Sequence, residues 1–379
     1  MISAVYMDAN ATMPVSAPAR AAMADALDVL GNPSSVHRFG RAARALVDHA
    51  REQVAKLVQA RPQDVIFVSG GTEANNLALA SRGERSLIVS GIEHESVLKP
   101  AAAAEARVLR TLPDGRADPA DLEAALREAG RPALVSLMLA NNETGVIQPV
   151  RAAADLVHRA GGLLHCDASQ APGRIAVDLG ALGADLLTLS AHKMGGALGA
   201  GALVLQGDLA VNPQMLGGGQ EKFRRAGTEN VAAIAAFGAA AEAARDLPQA
   251  STALRDRLEA ALAAFGGAVT ILGKDAARLP NTTCLAIDGK ASETLVMALD
   301  LAGFAISAGS ACSSGKVRPS HVATAMGLGA AVARGAVRVS LGAWNTAEEI
   351  DAFVAQLAKI AGLQRQLPGL QSSGMQPAA

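Results

Sequence analysis

Cysteine and lysine are both scarce in this chain of 379 residues. Three cysteines, Cys166, Cys284 and Cys312, make no disulfide framework. A reducing cytoplasm is therefore the simplest expected location. Only eight lysines stand against 26 arginines, so a lysine inside a motif is informative. Charged residues make up 18% of the chain and the net charge is -1. The charge share is low for a globular protein, and nothing in the balance suggests nucleic acid or an anionic membrane surface as a partner. The opening residues, MISAVYMDANAT, lack the basic and apolar parts of a secretory signal. The most apolar helical stretch, Val231 to Ala244, is too short to span a bilayer and carries Glu242.

Half of the sequence is hydrophobic, ample for a core, and the length suits one large domain with a smaller one attached. Short apolar runs alternate with helical patterns. Strands are expected at Val65 to Ser69, Ser86 to Ser90, Ala133 to Leu139, Leu163 to Asp167, Leu186 to Ser190 and Ala202 to Leu205. Helices are expected between them, at Ala74 to Ala80, Pro119 to Ala129 and Val150 to Ala160. This alternation predicts an α/β domain with a mostly parallel sheet and right-handed crossovers. A long alanine-rich helix and the helix Ser251 to Phe265 follow. From Ala268 a second, smaller unit is expected, with strands Thr282 to Ile287 and Gly335 to Ser340 and the helix Ser292 to Leu301. The polar tail from Gln366 has the composition of a disordered segment.

In parallel sheets ligands bind beyond the carboxyl ends of the strands, and the polar motifs of this chain sit there. Lys193 follows Leu186 to Ser190 and precedes a turn with Gly195, Gly196, Gly199 and Gly201. Desolvation at such a place disfavours the ammonium and makes the amine a nucleophile. Asp167 ends the strand before it. It can be a plain helix N-cap, or a carboxylate that pairs with a pyridinium nitrogen and keeps a cofactor ring electron-poor. Gly70-Gly71-Thr72-Glu73 joins a strand to a helix, where glycines and free amides can receive a phosphate. No Gly-Lys-Ser/Thr follows, so it is not a P-loop. His94 is either a loop histidine or a ring that stacks on a planar cofactor and passes protons. His94, His165 and His192 with Cys166 and Asp167 could suggest zinc, but neither a His-x-x-x-His nor a Cys-x-x-Cys pair is present, and zinc leaves Lys193 unexplained; no metal is expected. Cys166 and Cys284 lie in apolar strands and read as small core residues. Cys312 sits among serine, alanine and glycine, which reads as an exposed loop and makes it the candidate nucleophile.

Taken in order, the motifs resemble the cysteine desulfurases of the NifS/IscS type, which are fold-type I pyridoxal-phosphate enzymes of aminotransferase class V. The resemblance runs to about Leu357. It rests on Tyr6-Met7-Asp8 with Asn10-Ala11-Thr12, Gly31-Asn32-Pro33-Ser34-Ser35-Val36-His37, Ser69-Gly70-Gly71-Thr72-Glu73-Ala74-Asn75-Asn76, Glu93-His94, Asn141-Asn142-Glu143-Thr144-Gly145, Asp167-Ala168-Ser169-Gln170, Ser190-Ala191-His192-Lys193, Arg225-Ala226-Gly227-Thr228-Glu229-Asn230, Gly309-Ser310-Ala311-Cys312 and Arg338-Val339-Ser340-Leu341-Gly342. After Lys193 the chain departs from the family's usual Gly-Pro-Lys-Gly turn and reads Met194-Gly195-Gly196-Ala197-Leu198-Gly199.

The resemblance implies a large cofactor-binding domain over 14–255 and a smaller α+β domain from 1–13 and 256–365, with 366–379 as a tail. It implies that Lys193 carries pyridoxal 5'-phosphate covalently. Asp167 pairs with the pyridine nitrogen, Gln170 bonds the phenolic oxygen and His94 stacks on the ring. Gly71, Thr72, Ser190 and His192 hold the phosphate, with Thr228 reaching in from the second subunit of a homodimer. Asn142 lies beside the cofactor and, with Arg338, anchors the substrate carboxylate. Lys193, Cys312 and His94 are the implied catalytic residues. L-cysteine is turned into L-alanine, and the sulfur passes from Cys312 to an iron–sulfur scaffold or a sulfur-carrier protein. A selenocysteine lyase, a small aminotransferase or a non-catalytic docking platform are the alternative readings of the same motifs.

Overall fold

The computed structural model describes residues 4–246, 250–309 and 318–364. Cys312 and the tail from Gln366 lie outside the described residues. Seven strands form the larger sheet, in the spatial order Val65–Val68, Gly201–Leu205, Leu186–Ser190, Leu163–Asp167, Ala133–Ser136, Ser86–Ser90 and Arg107–Leu109. All neighbours run parallel except Gly201–Leu205, which is antiparallel to both strands beside it. Most of these strands are buried along their whole length, as expected for a sheet covered by helices on both faces. Alternation decides which helices they meet. Val65 and Phe67 face a core built with the helices Arg38–Leu57 and Val231–Ala243. Ile66 and Val68 face Leu77, Ala78 and Val97 of the helices Gly71–Ala80 and Glu95–Ala103. Arg38–Leu57 buries Ala43, Val47, Ala50 and Val54, spaced four, three and four apart along one helical face.

Two differences from the sequence reading stand out. Ala133 to Leu139 was expected as one strand; it ends at Ser136 because the Met138 amide turns to the buried Glu93 carboxyl, Oε1 at 2.7 Å. Arg107–Leu109 is an edge strand absent from the sequence reading. It has only three residues and follows Ala103, Ala104 and Ala106, so neither length nor alternation marks it.

The smaller unit has its own core, with Met7, Leu258, Leu285, Val339 and Phe353 among its buried side chains. Its four-stranded antiparallel sheet runs Ser307–Ala308, Val337–Ser340, Thr282–Ile287 and Val269–Ile271. The N-terminal strand Val5–Tyr6 pairs in parallel with Phe304–Ala305. From there the chain crosses to the larger unit through Asn10, whose amide donates to Ser340 Oγ at 3.0 Å and whose side-chain amide donates to Thr282 Oγ1 at 2.9 Å. This crossing lays residues 8–12 over the carboxyl ends of the large sheet.

Candidate active site

One cavity of about 380 Å³ opens where the large sheet's strand ends meet the smaller unit. Gly71, Thr72, His94, Asn142, Asp167, Gln170, Ser190, His192, Lys193 and Arg338 all line it. Strands Leu163–Asp167 and Leu186–Ser190 are neighbours, so Asp167 and Lys193 emerge side by side although 26 positions separate them. Gly195 and Gly199 turn the chain after the lysine at φ of 86° and 83°, in the left-handed region that glycine tolerates.

Lys193 Nζ donates to the carbonyls of Asn10 at 2.5 Å and Ala11 at 2.9 Å, both on the N-terminal crossing. Burial, and then the positive charges of Arg338 and Arg174, bring its pKa down to about 7. A large fraction of the amine is therefore unprotonated near neutral pH and can act as nucleophile or base. Asp167 accepts from Asn75 Nδ2 at 2.8 Å and from the Ser169 amide at 2.9 Å, so its N-cap-like turn and its place in the cavity wall coexist. Asn75 also donates to Ser96 Oγ at 2.9 Å, which lies 2.7 Å from His94 Nδ1. His94 is itself the N-cap of the helix Glu95–Ala103, its Nδ1 accepting from the Ser96 amide at 3.1 Å. A continuous chain, Asp167–Asn75–Ser96–His94, thus fixes the ring. Burial holds the His94 pKa below the usual imidazole range, so the ring is largely neutral at pH 7.

At one end of the cavity the helix Gly71–Ala80 starts from Gly70, which offers no side-chain cap. Its free amides are left to an external acceptor. A Cβ on Gly71 would stand 3.2 Å from Ser169 Oγ, so the glycine keeps this cradle open. His192 Nδ1 lies 3.1 Å from Thr12 Oγ1, and burial followed by the charge of Lys193 pushes its pKa down to about 4. A neutral ring leaves its other nitrogen as a donor. At the opposite end Arg338 donates to the Asn142 carbonyl at 2.9 Å and to Asp8 Oδ1 at 2.5 Å. Its Nε has no hydrogen-bond partner among the described residues; nor have Asn142 Oδ1 and Gln170 Oε1. Buried polar atoms without partners are costly, and here four of them, with Asn75 Oδ1 as the fourth, belong to residues lining one cavity.

His165 does not line the cavity. It is held between Ser136 Oγ at 2.8 Å and Thr188 Oγ1 at 3.0 Å on the neighbouring strands. Cys166 and Cys284 are fully buried, and burial raises both thiol pKa values. Thr228 is exposed and lies outside the cavity of its own chain. Cys312, expected as the nucleophile, falls outside the described residues. Five residues of this site carried no role in the sequence reading: Asn10, Asn75, Ser96, Glu143 and His321. Asn10, Asn75 and Glu143 lie inside the motifs, and only burial of their polar side chains marks them out from the other motif residues.

Residues 5–353 match the family model described as aminotransferase class-V. A cysteine desulfurase of Cereibacter sphaeroides is 43% identical over 96% of this chain and 97% of its own length. The chain belongs to the cysteine desulfurases of this family. IscS of Dictyoglomus turgidum is 37% identical over 94% of both chains. The NifS-like protein of Rickettsia africae superposes with a TM-score of 0.89 at 33% identity, covering 95% of this chain and all of that one. The chain is thus a pyridoxal-phosphate-dependent enzyme of the NifS/IscS type, with the fold-type I architecture. Its cavity fits the cofactor: an uncapped helix start beside Ser190 suits a phosphate, and a buried carboxylate braced by Asn75 faces the lysine's side of the pocket.

Proposed function

We propose that this chain converts L-cysteine to L-alanine and leaves the sulfur as a persulfide on Cys312, for transfer to an iron–sulfur scaffold or a sulfur-carrier protein. It works in the cytoplasm as a homodimer in which the exposed Thr228 reaches the neighbouring subunit's phosphate site. The observation that carries the reading is the convergence of Lys193, Asp167 and Arg338 on one cavity.

Gly71, Thr72, Ser190 and His192 would hold the cofactor phosphate. Asp167 would pair with the ring nitrogen, Gln170 would meet the phenolic oxygen and His94 would lie against the ring. Bound pyridoxal phosphate supplies an electron sink for the pair left when the substrate's Cα–H bond breaks. The amine of Lys193, with its pKa near 7, takes that proton at Nζ. Arg338 orients the substrate through a planar fork suited to a carboxylate, with its Nε still available and Asn142 Oδ1 close to the same wall. His94, neutral and fixed through Ser96, moves a proton at Nε2.

The test is purified protein with L-cysteine, measuring alanine and protein-bound persulfide, alongside C312S. The parent should form both, and C312S should form neither while keeping the cofactor's absorbance. Alanine production by C312S at the parent rate would refute the role of Cys312.

A further inference from the structure

His321 and Glu143 share the cavity wall with Lys193 and Arg338. Glu143 is only 1% exposed. Its Oε2 accepts from Ser320 Oγ at 2.5 Å, and its Oε1 lies 3.7 Å from His321 Nδ1. The other ring nitrogen, Nε2, is 3.0 Å from the Glu93 carbonyl oxygen. A carbonyl can only accept, so Nε2 carries a hydrogen. In the neutral ring Nδ1 then turns a lone pair toward a carboxyl oxygen, and the two face each other favourably only with one proton between them. The backbone passes directly beside this pair, because a Cβ on Gly309 would lie 2.8 Å from Glu143 Oε2.

Cysteine desulfuration needs such a group. L-Cysteine and a thiol RSH give L-alanine and RSSH. The C–S bond breaks with its electron pair remaining on carbon, and an S–S bond forms. The thiol's proton is balanced by the hydrogen gained at the methyl group. The two sulfurs are oxidised by one electron each and carbon is reduced by two, so no outside oxidant is required. Something must take the thiol's proton as the S–S bond forms, and Lys193 is already engaged at Cα. We propose that His321, positioned by Glu143, is the base of this sulfur half of the reaction, taking the thiol's proton at Nδ1. The assignment rests on the desulfurase reading above.

The surroundings favour a proton exchanged near neutral pH. Burial pushes Glu143 up to about 7, against the pull of the Ser320 hydroxyl and the Arg338 charge. Burial lowers the His321 pKa, while the Glu93 carbonyl and the Glu95 charge raise it and His94 opposes them. The buried Cys284 thiol also faces Glu143, and its own pKa is raised. An anionic Glu143 would hold a proton on the imidazole, so free base appears as pH rises and alanine formation should show an acid limb.

The experiment compares the holoenzyme with H321Q, E143Q and C312S, given L-cysteine in D2O. Deuterium entry at Cα reports the carbon half; alanine and persulfide report the sulfur half. H321Q should lose about 100-fold or more in alanine formation, the usual weight of a general base, with Cα exchange unchanged. E143Q, nearly the same shape, should move the acid limb to lower pH, because the anion that held the imidazole's proton is gone. Parent-like alanine formation in H321Q overturns the proposal, and so does an equal loss of exchange and alanine. If H321Q takes up no cofactor, an unmoved acid limb in E143Q overturns it instead. C312S separates the two readings: activity there refutes the Cys312 nucleophile, whereas an inactive C312S with a parent-like H321Q refutes only His321.

Discussion

At one end of the cavity, Gly71, Thr72, Ser190 and His192 come from turns that leave two strands of the same sheet, separated only by Gly201–Leu205. At the other end, Arg338 meets Asp8 across 330 positions and reaches Asn142 from another unit of the fold. The first end owes its geometry to one buried sheet. The second exists only when the smaller unit packs on the larger, through contacts such as Asn10 to Ser340 and the Leu279 amide to the Gly145 carbonyl at 2.8 Å. Lys193 belongs to both, since it grows from the sheet but rests on carbonyls of the N-terminal crossing. Under the proposed roles, the groups that hold the cofactor lie on the sheet, and the groups that bind the substrate lie where the two units meet.

Substitutions at each end can break this comparison. The largest effect is expected from Lys193→Ala, which serves both ends: alanine formation should fall by roughly 10³-fold or more, as for removal of a nucleophile that is also the base. Borohydride reduction followed by peptide mapping should place the cofactor adduct on Lys193 in the parent and find none in the variant; an adduct on another lysine would overturn the assignment. Arg338→Lys comes next. It keeps the charge but loses the fork, so kcat/KM should fall by about 10- to 100-fold, the weight of a charge-assisted hydrogen bond. The change should appear in KM, with the cofactor's absorbance intact; unchanged kinetics would remove Arg338 from substrate binding.

Asn75→Ala tests the sheet end, because it frees Asp167 Oδ2 and cuts the link to Ser96. Cofactor affinity should weaken by about 10-fold, one hydrogen bond to a charged group, while KM for cysteine in the saturated enzyme stays put. A change in KM alone would mean the two ends are not separable. The smallest effect on turnover is expected from Glu93→Gln. Burial pushes Glu93 up to about 8, against hydrogen bonds from Ser90 and Met138. A carboxyl with a raised folded pKa binds more protons folded than unfolded, so its contribution is present at low pH and is lost as pH rises from the unfolded value to about 8. Urea unfolding of the parent should therefore weaken across that window by up to on the order of 4 kcal/mol, and the variant should be flatter. Equal slopes would show that Glu93 is ionised in the folded protein.

Much of the fold is legible in the sequence because a buried parallel strand needs a short apolar run, and the run's end needs a polar turn. Ser86–Ser90, Leu163–Asp167 and Leu186–Ser190 lie where the apolar runs put them. Arg107–Leu109 is not legible, since an edge strand of three residues buries too little to leave a pattern. The motif residues at the strand ends could be read one by one. Their partners could not: Asn75, Ser96 and His321 are ordinary polar residues until a neighbour distant in sequence turns each toward the cavity.

The sequence by itself determined the alternation of strands and helices, the strand ends that carry Asp167 and Lys193, and the membership in a family. Those are local properties, set by periodicity and by residue type at a turn. Only the tertiary structure decided that Asn10 carries the lysine's resting place, that Asp8 occupies part of the Arg338 fork, and that Glu143 faces His321 across the cavity wall. These contacts depend on the burial of charges and on the docking of the small unit, and desolvation depends on what surrounds a group in space rather than along the chain.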